Sequence, residues 1–155
     1  MHLIRIGVII ILIISYVITN IITVEINEWS YMLMHANIFH LACNCWCAYF
    51  VINDRLINRW LLLPLLAVIG AFAYVVTPVG DIPTVGVSGA LLAMVGINLS
   101  MAMTKRNLIM VGVMLLVWGV FPMVSFGIHA VGLAIGWLIG IFMRYYYDNG
   151  GVNRN

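Results

Sequence analysis

The chain has 155 residues, of which 65% are hydrophobic and only 8% are charged. Soluble domains contain roughly 45–50% apolar and about 25% charged residues, so this composition excludes a soluble globular protein. Seven Lys and Arg residues against five Asp and Glu residues leave no basic surface for nucleic acid. A mean hydropathy of +1.12 is also too high for a soluble domain with a single anchor, so we expect one membrane domain.

Charged residues divide the sequence into long uncharged segments, which we interpret as membrane spans. The last segment, residues 107–143, is long enough for two spans, and Pro122 and a Ser-Phe-Gly turn at 125–127 predict a break within it. Uniformly apolar segments lack the alternation of barrel strands, so each span is expected to be a helix. The sequence therefore predicts an all-α, polytopic bundle of six transmembrane helices, a single domain over residues 1–155. The predicted spans are residues 6–24, 31–52, 60–77, 85–103, 107–124 and 127–143.

Basic residues predict the orientation of the bundle. All seven fall at the two termini or in the even-numbered turns: Arg5, Arg55, Arg59, Lys105, Arg106, Arg144 and Arg154. The positive-inside rule then places both termini in the cytoplasm. The first segment lacks a small-residue cleavage site and is expected to be a retained span. The first outer loop is expected to be short, about Glu25 to Ser30, with Trp29 and Tyr31 in the outer aromatic belt.

Polar side chains within the spans indicate a functional site, because unpaired polar groups are costly in hydrocarbon. In the second span, Asn37, His40 and Asn44 follow an i, i+3, i+7 pattern on one helix face, whereas His35 points about 140° away from His40. Ser88 lies near the outer end of the fourth span, and His129 lies at the same depth in the sixth. Three spans thus bring Ser, His and Asn side chains to one layer of the membrane.

Small residues predict how the fourth and sixth spans meet. His129 shares a face with Gly132, Gly136 and Gly140, and the fourth span carries a matching set: Gly86, Gly89, Ala93, Gly96 and Ser100. Such ridges let two helix backbones approach closely, which would bring Ser88 to His129. An alternative is that the glycines only pack helices and that Ser88 bonds a carbonyl.

Three motifs resemble those of the rhomboid intramembrane serine proteases, in their minimal six-span form. HANIFHLACN carries His35, His40 and Asn44, GVSGA carries Ser88 in a GxSG pattern, and IHAVGLAIG carries His129. The resemblance implies that Ser88 is the nucleophile and His129 the base, with His40, Asn44 and the Ser88 amide as oxyanion donors. This chain departs from the family in its short first outer loop and in Leu92, where many members have an aromatic residue.

The resemblance also implies a mechanism and partners. Peptide hydrolysis by serine needs a nucleophile, a base and oxyanion donors, and no Asp or Glu lies in any predicted span to complete a triad. Gly86 and Gly89 are expected to leave room for the substrate backbone, while His35, Asn37, Gly132 and Gly136 are expected to be structural or accessory. The expected substrates are transmembrane segments of other proteins in the lipid bilayer, and no cofactor or metal is expected.

Two other interpretations remain open. A catalytically inactive rhomboid-like protein would use the same groove to bind membrane helices without cleaving them. A metal or haem protein would use His40, Cys43 and Cys47, which follow an i, i+3, i+7 pattern, with His129 as a further ligand. Against this second alternative, cysteines at such spacing are commonly small packing residues of a helix.

Overall fold

The structure, a computed structural model, describes residues 3–52, 62–77, 85–101, 104–105, 108–109, 111–113 and 126–149. Within these ranges every regular element is a helix and none is a strand, which confirms the predicted all-α class. A short 3-10 helix, Ser30–Met32, precedes the second α-helix. The α-helices are α1 (Leu3–Ile21), α2 (Ile38–Val51), α3 (Leu62–Val76), α4 (Ser88–Met101) and α5 (Phe126–Asn149).

Two of the described helices, α1 and α5, are long and apolar enough to cross a membrane by themselves, and α2, α3 and α4 are shorter apolar helices. Helix α1 exposes most of its large apolar side chains, among them Ile11 at 56% and Ile14 at 51%. Such a surface suits contact with lipid. The predicted fifth span and the predicted break at Pro122 lie mostly outside the described residues, although residues 108–109 and 111–113 are helical.

The second helix begins at Ile38, so the predicted start at residue 31 is wrong. Asn37 is the reason: its backbone is extended (φ −165°, ψ 173°) and its side chain accepts a hydrogen bond from the His40 amide, which caps the helix. Residues 22–37 therefore connect α1 to α2, which makes this loop longer than the predicted Glu25 to Ser30. Tyr31 and Met32 still pack inward, but from the 3-10 helix, whereas Leu33 is 43% exposed.

Helix α4 lies at the centre of the described bundle and contacts α2, α3 and α5. Its side chains are buried on every side, with Leu92 at 2% and Met94 and Ile97 at 0% exposed. A helix that is apolar all round is expected to be enclosed by protein or lipid. Leu92 stands where many rhomboid proteases have an aromatic residue, and in this chain it is a core residue.

Helices α4 and α5 touch backbone to backbone through their small residues. A Cβ atom on Gly132 would collide with the Gly89 carbonyl, and one on Gly136 would collide with the Ala93 carbonyl. In the other direction, a Cβ on Gly96 would collide with the Leu133 carbonyl. This is the close approach that the small-residue ridges predict. At these three glycines it leaves no room for a side chain between the two backbones.

Contacts between helix ends define the directions of the helices. Arg5 Nε at the start of α1 donates to the Ile52 carbonyl at the end of α2, 2.9 Å away, so these helices are antiparallel. Asn98 Nδ2 near the end of α4 donates to the Val51 carbonyl, 2.7 Å away, so α2 and α4 are parallel. Ser100 in α4 contacts Gly140 in α5, which makes α4 and α5 parallel as well.

Candidate active site

Ser88 and His129 come together at the beginnings of two parallel helices. Ser88 is the first residue of α4, and His129 lies in the first turn of α5 and is only 4% exposed. The Ser88 Oγ and His129 Nε2 atoms are 2.7 Å apart, which is hydrogen-bond distance. Gly132, one turn after His129, lies directly against the carbonyl of Gly89, the residue after Ser88. The backbones of α4 and α5 are therefore close enough for the short Ser88 side chain to reach the His129 ring.

His40 and Asn44 face the segment that leads into Ser88. A Cβ atom at Gly86 would lie 2.8 Å from His40 Nε2 and 3.1 Å from Asn44 Nδ2. Asn44 is 5% exposed, and its Nδ2 has no hydrogen-bond acceptor among the described residues. A buried donor without a partner is rare in native proteins, and a catalytic role is one of the reasons for which such a group is retained. Helix α2 therefore aims polar side chains at the backbone directly before the serine.

Position 86 requires glycine for two reasons, its backbone conformation and the lack of space for a side chain. Its φ of +115° lies in a region that residues with a Cβ rarely adopt, and its amide donates to the Tyr31 carbonyl, 2.7 Å away. Gly89 behaves differently, because a Cβ there would lie 2.7 Å from Ile128 Cγ2. Gly89 thus packs against α5, and the expectation that it also leaves room for a substrate backbone stays a prediction.

His35 and Asn37 occupy positions that differ from those expected. His35 precedes α2, so the 140° separation from His40 that an α-helix would impose does not apply. Its ring is buried and packs edge-on against His40, with ring centroids 5.3 Å apart. Neither His35 ring nitrogen has a hydrogen bond within the described part of the chain. Asn37 is exposed and caps its own helix, which makes it a structural residue.

Tyr31 is a residue near the site whose role the sequence does not indicate. It is expected in the outer aromatic belt, yet it is fully buried at 0% exposed, whereas Trp29 is 52% exposed. An aromatic residue at the start of a span can belong either to the interfacial belt or to the protein core. Only the contact of its carbonyl with Gly86 reveals that it belongs to the wall of the site.

The three cysteines do not form a cluster of metal ligands. Cys43 is exposed on α2, Cys45 and Cys47 are partly buried, and all three are free thiols. No group of three or more His, Cys, Asp or Glu side chains suited to a metal ion occurs among the described residues. The set of His40, Cys43, Cys47 and His129 proposed for a metal or haem protein is therefore not brought together.

Comparison with known families identifies the class of protein that this bundle represents. The family model described as Rhomboid domain matches residues 25–146, a range that includes α2, α3, α4 and most of α5. The chain therefore belongs to the rhomboid family, whose members are polytopic helical membrane proteins and in general intramembrane serine proteases. No curated protein gives a significant match to the chain. Family membership and the apolar helices make this an integral membrane protein.

Proposed function

We propose that the protein is a serine endopeptidase that cleaves transmembrane segments of other membrane proteins with a Ser88–His129 dyad. The observation that carries the proposal is the 2.7 Å distance between Ser88 Oγ and His129 Nε2. A serine hydroxyl becomes a useful nucleophile when an adjacent imidazole accepts its proton. Membership of the rhomboid family supports the same chemistry, since its members are in general intramembrane serine proteases. The motifs that carry Ser88 and His129 resemble those of the family.

The proposed reaction follows the two steps of serine acyl transfer. Ser88 Oγ attacks the scissile carbonyl carbon while His129 Nε2 takes the hydroxyl proton, and the imidazolium then returns that proton to the leaving amine. Water next attacks the acyl-enzyme and gives its proton to His129, which passes a proton to Ser88 Oγ as the ester bond breaks. Both half-reactions use the same imidazole, so the neutral ring must be restored after each one.

Three donors are proposed to stabilise the oxyanion. Ser88 is the first residue of α4, so its amide has no acceptor within the helix and lies at the positive end of the helix dipole. His40 and Asn44 face Gly86, two residues before Ser88, and supply side-chain N–H groups. Donors fixed before the reaction are effective because they need no reorganisation when the charge develops.

Replacing Asn44 with alanine is expected to lower kcat by about 100-fold, the usual cost of losing one oxyanion donor. The measurement is steady-state cleavage of a labelled transmembrane peptide, normalised to folded protein. Asn98→Ala is the matched control, because Asn98 donates to the Val51 carbonyl near the far end of α4. Equal kcat values for the two variants would remove Asn44 from the proposed oxyanion site.

The proposed topology is multi-pass, with both termini cytoplasmic. Arg5 bonds the C-terminal end of α2, and Arg144 lies near the C-terminal end of α5. Ser88 and His129 begin their helices and therefore lie toward the opposite end of the bundle. The positive-inside rule makes that opposite end the outer one. A dyad near the outer surface would have access to the water that hydrolysis consumes.

Cleavage is expected to fall on acidification, because an imidazole must be neutral to accept the serine proton. Protonation of His129 removes the base, so kcat should decrease as the pH is lowered. The measurement is the pH profile of peptide cleavage, with circular dichroism at each pH to show that the protein remains folded. A rate that is constant down to about pH 5 would argue against His129 as the base.

Reconstitution in lipid vesicles with a fluorescently labelled transmembrane peptide tests the proposed function. An endopeptidase releases two fragments whose masses locate one cut within or next to the membrane segment. A rhomboid-like protein without activity would bind the peptide and release no fragments. That second result, obtained with folded protein at neutral pH, would contradict the proposal.

A further inference from the structure

The side chain of Tyr31 joins the 3-10 helix Ser30–Met32 to helix α3. Its hydroxyl donates to the Gly70 carbonyl, 2.7 Å away, in a fully buried hydrogen bond. Its ring stacks on Tyr74, with ring centroids 4.5 Å apart and planes inclined by 26°. Both partners belong to α3, so the ring and the hydroxyl fix Tyr31 to one helix at two points.

The backbone of Tyr31 reaches the reactive segment. Its carbonyl accepts hydrogen bonds from the Gly86 amide at 2.7 Å and from the Met34 amide at 3.3 Å. Gly86 holds the positive φ that sets the direction of the chain into Ser88, and it lies against His40. The Tyr31 hydroxyl also lies 3.5 Å from the position that a Cβ on Gly89 would occupy, directly after Ser88. Tyr31 thus bonds the chain before the serine and lies close to the chain after it.

We propose that Tyr31 is a positioning residue for the site, and this inference rests on the proposed protease function. Its side chain is fixed to α3, and its carbonyl holds Gly86 in the left-handed conformation. That conformation determines where Ser88 Oγ lies relative to His129 and where the Ser88 amide lies relative to His40 and Asn44. A shift of about 1 Å in such a group is enough to slow catalysis substantially.

Tyr31→Phe is the sharpest variant, because it retains the ring and its stacking on Tyr74 but removes the bond to Gly70. We expect kcat and the rate of Ser88 labelling by a fluorophosphonate to fall about tenfold per folded molecule, the size of effect that one buried hydrogen bond can exert. KM for the peptide should stay unchanged, since Tyr31 is fully buried and lies outside any surface that a substrate could touch.

Ser100→Ala is the matched control, because it also removes a buried hydroxyl that donates to a helix carbonyl, that of Ile97 at 2.9 Å. Ser100 lies toward the other end of α4, so its loss should leave kcat and labelling per folded molecule unchanged. If Tyr31→Phe lowers thermal stability as Ser100→Ala does but retains wild-type kcat and labelling, Tyr31 is merely structural and the inference is overturned.

A second variant keeps the test decisive if Tyr31→Phe does not fold. Tyr74→Leu removes the ring on which Tyr31 stacks and leaves the hydroxyl bond in place. Slower Ser88 labelling of the folded variant supports the inference, and an unchanged rate overturns it. Failure of the proposed function gives a different result, because the wild type itself would then neither cleave the peptide nor react with the fluorophosphonate.

Discussion

Replacing Ser88 with alanine is expected to reduce peptide cleavage by about 10⁴-fold or more, the largest effect on activity that we predict. The alanine lacks the oxygen that forms the acyl-enzyme, and the remaining groups can only stabilise a direct attack by water. The melting temperature should change little, because Ser88 is partly exposed and its replacement creates no cavity. Cleavage of the transmembrane peptide in vesicles and thermal unfolding in detergent measure the two effects.

Ser100→Ala is again the control for this prediction, since it makes the same substitution on the same helix. Ser100 donates to the Ile97 carbonyl of its own helix and lies away from His129. Its loss should leave the activity of the folded protein unchanged. Comparable cleavage by wild type and Ser88→Ala would mean that another group performs the reaction, or that the fragments come from a contaminating protease.

Gly136→Ala is expected to cause the largest loss of stability, about 3 kcal/mol in the free energy of unfolding. A Cβ at this position would collide with the backbone carbonyl of Ala93, and a backbone atom cannot rotate away as a side chain does. Helices α4 and α5 would have to separate, which would also draw His129 away from Ser88. Denaturant unfolding in detergent and fluorophosphonate labelling should therefore report parallel losses.

Gly7→Ala is the matched control, because nothing lies within 4 Å of the Cβ that it would add to α1. Alanine also has the higher helix propensity, so this variant should be at least as stable as the wild type. If Gly136→Ala and Gly7→Ala unfold at the same denaturant concentration, the direct backbone contact between α4 and α5 is wrong.

The meeting of α4 and α5 is the part of the fold that the sequence predicts best. Helical spacing places His129, Gly132 and Gly136 on one face, and this geometry is local and independent of the rest of the chain. Small residues on both helices favour a close contact between these faces, and the structure has that contact. The proximity of Ser88 and His129 follows from this packing, because each lies at the beginning of its helix.

The start of α2 and the surroundings of Tyr31 illustrate what the sequence alone does not predict. Residues 31–36 are apolar enough for a span, and the helix nevertheless begins at Ile38 because the Asn37 side chain caps it. An asparagine within a helix and one at an N-cap look alike in a hydropathy pattern. The burial of Tyr31 depends on Gly70 and Gly86, residues distant in sequence that only the folded chain brings together.

Mapping the site of fluorophosphonate attachment by mass spectrometry tests the dyad most directly. Purified wild-type protein in detergent is expected to carry the adduct on Ser88, and His129→Ala should lose it, because the hydroxyl needs its imidazole partner 2.7 Å away to react. Equal labelling of both proteins at Ser88, or an adduct confined to another residue, would contradict the central claim that these two side chains act together.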